Sequence, residues 1–150
     1  DLPTGSLVVA SEFVQHDVDT TAVGDPIGLV STVNQVVFPT WQPERCVSLL
    51  KEQGVSAVTG RIATGDWFAV KGSRAEWIRD TFSPLLVEME GGAIAQVCLR
   101  NGVRFVSVKS VSDHLFSEKQ AEEYFDFGQA LDALGRVVLP LAQSLAQEFC

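Results

Sequence analysis

Leu86-Val87-Glu88-Met89-Glu90-Gly91-Gly92-Ala93-Ile94-Ala95-Gln96-Val97-Cys98 carries an apolar strand directly into a glycine-opened apolar helix. Leu85 to Glu88 reads as a short strand and Ala93 to Leu99 as a buried helix. Glu88, Met89 and Glu90 stand at the junction. Burying charge costs several kcal/mol unless partners are supplied, so glutamates inside an apolar stretch point to a use for at least one. On these residues alone a plainer alternative is equally open. Glu88 and Glu90 would then be an exposed strand end and a helix-start charge favoured by the dipole.

Outward from the junction, strand and helix signals alternate. Leu7 to Ala10 reads as a buried strand, and Gly24 to Pro39 as irregular. Pro43 suits the first position of a helix whose apolar stripe is Cys46, Val47, Leu49 and Leu50 and which Gly54 closes. Ser56 to Thr64 is strand-like, interrupted by Gly60, and runs into Gly65-Asp66-Trp67-Phe68-Ala69-Val70. Ser73-x-x-Glu76 has the capping-box pattern and opens a helix through Phe82. Asn101-Gly102 is a left-handed helix stop, and Phe105 to Val111 a strand. Ser117-x-x-Gln120 caps a short acidic helix. The last helix carries Phe127, Ala130, Leu131, Leu134, Val137, Val138, Leu141 and Leu145, with Pro140 expected to kink or split it. Such alternation predicts an α/β fold with a largely parallel sheet. Ligands bind such sheets beyond the carboxyl ends of strands. Asp66, Glu90 and Asp113 each lie just past a strand, so a cleft is expected there.

The 150 residues make one domain or part of one, without repeats or an internal linker. A 46% hydrophobic content suits a folded core, and 20% charged residues argues against disorder. The net charge of -8 and the lack of any basic run disfavour nucleic acid as a partner. No apolar run reaches the ~20 residues that span a bilayer, and no signal-peptide pattern opens the chain, so no membrane partner is expected. Cys46, Cys98 and Cys150 are odd in number and lack Cys-x-x-Cys spacing, which favours a reduced, cytoplasmic setting over metal or redox chemistry. Cys98 is expected to be a small core residue. The chain opens Asp1-Leu2-Pro3, so its true start is expected elsewhere.

Thr64-Gly65-Asp66-Trp67-Phe68, Val87-Glu88-Met89-Glu90-Gly91 and Ser110-Val111-Ser112-Asp113 stand in order behind Glu12-x-x-x-His16-Asp17-x-Asp19-x-Thr21-Ala22-x-Gly24. With these motifs the chain resembles the 5′-methylthioadenosine/S-adenosylhomocysteine nucleosidases of the purine nucleoside phosphorylase superfamily. The resemblance implies a three-layer αβα sandwich with a mixed, largely parallel central sheet. Residues 1–150 would be the larger, carboxyl-terminal part of a single nucleosidase domain, with the amino-terminal strands missing from this chain.

The implied reaction cleaves the bond between adenine and a 5′-alkylthioribose, with no cofactor and no metal. Adenine leaves poorly as an anion, so an acid must protonate its ring as the bond stretches. Asp113 matches that proton donor, with Ser112 holding its carboxyl. The ribosyl group gains oxocarbenium character, which a carboxylate stabilises. Glu90 matches the residue that binds the ribose hydroxyls, Met89 lies against the sugar, and Glu88 belongs to the same binding set. Phe68 matches the aromatic that stacks on adenine and Ala69 the position whose main chain reads the base edge. Phe125 matches an aromatic closing the alkylthio side. Lys109 replaces the arginine of many members, in a water-positioning role, and loses its planar bidentate geometry.

Each role has a plainer counterpart. Asp113 at a strand end is also an ordinary cap, Phe68 an ordinary core aromatic, and Phe125 an ordinary member of the last helix's apolar face. His16-Asp17-x-Asp19 is expected to be a structural hydrogen-bond cluster rather than a metal site, and His114 to be exposed. The resemblance further implies a homodimer in which Gly24 to Pro39 reaches the partner's pocket. Val23, often Phe, and the missing Gly-Gln-Xaa-Pro leave alkylthio preference open. The family's water-activating glutamate lies in an amino-terminal segment with no counterpart here, and Glu12 does not replace it, so a companion segment is expected and the fragment alone should be inactive. Rival readings are a nucleoside phosphorylase, a futalosine-type hydrolase, or a nucleoside-binding module without catalysis.

Overall fold

The computed structural model describes residues 2–115 and 127–149. Its elements run β1 (Leu7–Gln15), a 3-10 turn (Thr21–Val23), β2 (Val37–Pro39), α1 (Pro43–Glu52), β3 (Ala57–Thr64), α2 (Ser73–Phe82), β4 (Leu86–Glu88), α3 (Gly91–Arg100), β5 (Val108–Ser110) and α4 (Phe127–Phe149). This is the α/β alternation that the sequence predicts. The strands form a mixed sheet in the order β2-β1-β3-β4, with β5 also paired to β1. β3 and β4 are parallel, pairing Ile62 with Leu86, Ala63 with Val87 and Thr64 with Glu88. β2 and β5 are antiparallel to β1, β2 along Glu12 to Val14 and β5 along Leu7 to Val9. The chain divides into two compact units, and β1 and β3 each begin in one and end in the other.

One unit holds the chain up to Val9, Gln42–Thr59 and the chain from Val108 onward. α1 starts on Pro43 and buries Cys46, Leu49 and Leu50, the stripe read from the sequence. α4 packs on α1 and on β5. Arg45 ties the two helices, meeting Glu52 at 2.8 Å and Glu148 at 2.9 Å. Pro140 does not split α4, which is continuous through it. Val137 and Leu141 are both buried, and that packing on either side of the proline outweighs one lost ladder bond.

The other unit holds Ala10–Trp41 and Gly60–Ser107. Here the period-2 alternation of strands separates two cores. Phe13, Ile62 and Leu86 pack with Phe38 and Ala95 of α3. Val14, Ala63 and Val87 pack with Ile78 and Phe82 of α2. Within this unit the sheet is therefore covered by α2 on one face and α3 on the other.

Several local expectations change. β1 continues past Ala10 to Gln15, because Phe13 and Val14 each bury on their own face. β2 forms inside the stretch expected to be irregular. Gly60 does not interrupt β3: a Cβ there would lie 2.5 Å from Leu85 Cδ2, so the glycine admits close packing. β5 is only Val108–Ser110; Phe105 and Ser107 instead accept single backbone bonds from Trp41 at 2.8 Å and Ala10 at 2.9 Å. α2 spans the expected residues without a capping box, since Gly72 is its N-cap and no side chain caps it. α3 is not buried all round: Ile94 and Val97 are 49% and 62% exposed, on the side away from Gly91, Gly92 and Ala95. Cys98 is accordingly only half-buried. The Ser117–Gln120 cap and Phe125 lie outside the described residues. No helix among the described residues is long and apolar enough to cross a membrane.

Candidate active site

The carboxyl ends of β1, β3 and β4 are linked in order: His16 N–H donates to Thr64 O at 2.9 Å, and Gly65 N–H to Glu88 O at 3.2 Å. The parallel register sets Thr64 beside Glu88. The Glu88 carboxylate accepts the Gly91 N–H at 2.8 and 3.0 Å, the Glu90 N–H at 3.2 Å, and the Thr64 hydroxyl. Thr64 Oγ1 in turn accepts the Gly92 N–H at 2.8 Å. The first amides of a helix have no intrahelical acceptor, and the dipole favours an anion there. Glu88 is thus the helix-start charge, half-buried, rather than an exposed strand end. The two glycines are required by close approach. A Cβ on Gly91 would meet the Phe13 ring at 2.3 Å, and one on Gly92 would meet Thr64 Cβ at 2.8 Å. With Glu88 held below, Met89 and Glu90 present exposed side chains at the opening of α3.

The turn after β3 lies at the same strand ends. Asp66 N–H donates to Asp17 Oδ2 at 2.7 Å, and Trp67 N–H to Gly65 O at 2.8 Å. Arg74 stacks over the Trp67 ring at 4.5 Å. Phe68 is 54% exposed, so it is not the ordinary core aromatic that its type alone favours. Ala69 follows it half-buried. The expected His16-Asp17-x-Asp19 cluster forms only in part. Asp19 accepts the Thr21 hydroxyl at 2.7 Å and its N–H at 2.9 Å, which hold its carboxyl below the usual range. The His16 ring, by contrast, is buried with neither nitrogen hydrogen-bonded among the described residues. Among the described residues no group of three or more His, Cys, Asp and Glu could hold a metal ion.

Lys109, Ser112 and Asp113 belong to the unit with the chain start. Gly5 N–H donates to Val111 O at 2.8 Å, and Val111 N–H to Ser6 O at 2.9 Å. Ser112 Oγ–H donates to Asp113 Oδ1 at 3.2 Å. His114 is half-buried rather than exposed, its Nε2 3.5 Å from Thr4 Oγ1. Lys109 sits mid-strand opposite Val8. The carboxyl-end rule for parallel strands covers Asp66 and Glu90, after β3 and β4. β5 is antiparallel to β1, so the place of Asp113 rests on its motif instead.

Thr64 was not singled out in the sequence, and His16 was read there only as part of a hydrogen-bond cluster. Thr64 stood in a quoted motif, but its bridge to Glu88 and Gly92 appears only once β3 and β4 pair. His16 left one signal, a histidine directly after an apolar strand.

The sequence matches the Phosphorylase superfamily over residues 1–143. The 5′-methylthioadenosine/S-adenosylhomocysteine nucleosidase of Geobacillus kaustophilus (strain HTA426) is 42% identical over 118 residues, 75% of this chain and 49% of that protein. The nucleosidase of the same name from Shewanella halifaxensis (strain HAW-EB4) is 38% identical over 119 residues, 76% of this chain and 51% of that protein. A solved Helicobacter pylori 5′-methylthioadenosine/S-adenosyl homocysteine nucleosidase superposes with a TM-score of 0.85 at 29% identity, over 97% of this chain and 63% of that one. The Helicobacter pylori futalosine hydrolase superposes equally, at 0.85 and 28% identity, over 96% of this chain and 62% of that one. The chain spans about half the length of the curated relatives it matches.

Proposed function

The chain belongs to the phosphorylase superfamily, and we propose that it serves the hydrolysis of the N-glycosidic bond of 5′-methylthioadenosine, S-adenosylhomocysteine or both, releasing adenine and a 5-thioribose. Residues 1–150 are proposed as the carboxyl-terminal part of a single nucleosidase domain, in keeping with the half-length match. The observation that carries the reading is the half-exposed Phe68 aromatic, set on a tied turn at the strand ends that also present Met89 and Glu90. An exposed aromatic on a fixed turn is a surface for a planar base.

In this proposal Phe68 stacks on adenine, the Ala69 main chain reads its edge, and Met89 lies against the sugar. Glu90 accepts the ribose hydroxyls and stabilises the positive charge that develops on the sugar. Glu88 serves the same set by holding the Met89–Glu90 segment against α3. Asp113, oriented by Ser112, gives its proton to the departing base. Phe125 closes the alkylthio side and Lys109 positions water. The carboxylate that activates the water is proposed to come from a companion amino-terminal segment, and a homodimer is proposed with the exposed Ile94 and Val97 of α3 as apolar surface in its support. A cytoplasmic setting is proposed from the free Cys46 and Cys98.

A second reading, futalosine hydrolysis, has the equal TM-score in its favour. The nucleosidase name of the relatives at 34–42% identity ranks it second. The test is adenine release by the full-length protein from methylthioadenosine, S-adenosylhomocysteine and futalosine, with and without inorganic phosphate. Phosphate-independent release from the first two is expected. Strict phosphate dependence, release from futalosine alone, or binding of an adenosine analogue with no release would each overturn the proposal in favour of a rival.

A further inference from the structure

His16 is the largest buried polar side chain among the described residues, and the proposed reaction leaves it without a task. Its ring is 2% exposed, and neither nitrogen has a hydrogen-bond partner among the described residues. A neutral imidazole always carries one donor and one acceptor, and burying either without a partner is unfavourable. A phenylalanine of similar outline would avoid that cost. Residues retained in spite of such a local cost cluster at functional sites.

The surroundings show what the ring does. A Cβ added to Gly65 would lie 2.4 Å from His16 Cε1 and 2.5 Å from Nε2, so the backbone of the turn rests directly on the imidazole. Trp67 meets the ring edge-on, with centroids 6.3 Å apart. On either side the chain is tied down: His16 N–H holds Thr64 O at 2.9 Å, and Asp17 Oδ2 holds the Asp66 N–H at 2.7 Å. His16 and Asp17 therefore clamp Gly65 to Trp67, the turn that delivers Phe68 and Ala69.

We propose that His16 is a positioning residue for base recognition, a neutral wedge under the Gly65–Trp67 turn, so that affinity for the adenine ring depends on this imidazole remaining uncharged. The inference rests on the nucleosidase reading for its ligand, while the clamp itself is independent of it. The charged groups facing the ring are Asp17, which favours its protonation, and Arg74, which opposes it. Burial outweighs both and pushes the imidazole below its ordinary 6.5. The sign follows. Well above pH 6.5 the ring is neutral whether the turn is closed or open. As pH falls below that value the opened turn takes up the proton more readily than the closed one, so closure and base affinity weaken.

The test uses the full-length protein with adenine in calorimetry, methylthioadenosine in turnover, and Trp67 emission as a readout that needs no substrate. His16→Ala should weaken adenine binding and raise KM by about tenfold, with kcat changed less than about threefold. His16→Phe should restore adenine affinity to within about twofold at pH 7.5 and remove its decline toward pH 5.5. Trp67 emission should titrate over the same interval in the parent protein and stay flat in His16→Phe, with Trp67→Phe identifying the signal. Adenine affinity in His16→Phe that falls with pH as the parent's does would overturn the proposal. So would a loss in His16→Ala confined to kcat. If the parent released no adenine, the nucleosidase reading would fail while the emission titration still judged the clamp.

Discussion

Glu88 and Asp113 each stand where a strand gives way to other structure, yet their surroundings differ. Glu88 accepts two backbone N–H groups and the Thr64 hydroxyl, and two glycines let α3 close against it. Asp113 accepts, among the described residues, the Ser112 hydroxyl at 3.2 Å. A carboxylate that accepts several fixed donors holds the backbone around it in place. In the proposed reading Glu88 is the scaffold of the strand-helix junction and Asp113 the proton donor. Variants should separate along that line.

The largest effect is expected at Asp113. Asp113→Asn in the full-length protein should lower adenine release by about 10²–10⁴-fold, the usual contribution of a positioned general acid. Its thermal midpoint should stay where it was. Turnover within a few-fold of the parent, or a large fall in the midpoint, would erase the contrast with Glu88.

At the other pole, Gly91→Ala should act through stability. The added methyl falls 2.3 Å from the Phe13 ring, which the sheet holds fully buried. Overpacking of this kind costs up to about 3 kcal/mol, read as a lower urea midpoint. An unchanged midpoint would show that the β4–α3 junction has room the packing denies it.

Thr64→Val should be milder and more diagnostic. It keeps the shape and removes the hydroxyl shared by Gly92 and Glu88. Stranding a buried donor should cost about 1.5 kcal/mol. Urea unfolding measures the loss, and full stability in this variant would mean that the hydroxyl bridge adds nothing.

The legible parts of the molecule share a cause. α1 was visible in Pro43 and the Cys46-Leu49-Leu50 stripe, and the end of α3 in Asn101-Gly102, where Gly102 adopts a φ of 64°. These signals act within one or two turns of chain. The candidate site was legible as motif: Glu88, Met89 and Glu90 at a strand-helix junction, and Ser112 beside Asp113. Their division of labour was not, because a glutamate in a motif looks the same whether it meets a ligand or a helix amide. Ser73-x-x-Glu76 misled in the same way, since the helix took Gly72 as its cap and left the pattern unused.

The sequence by itself therefore determined the α/β alternation, three helix spans and the ordered motifs of the superfamily, all of them properties of residues near one another along the chain. Only the tertiary structure decided that Thr64, 24 residues away, bridges Glu88 to the Gly92 N–H, and that Asp17 ties down Asp66, 49 residues away. It alone extended β1 to Gln15, formed β2 in an unpromising stretch and buried the His16 ring with neither nitrogen hydrogen-bonded among the described residues. The physical reason is that strands and polar clusters are satisfied by distant groups. Their hydrogen bonds exist only after register and packing bring those groups together, so no local pattern can announce them.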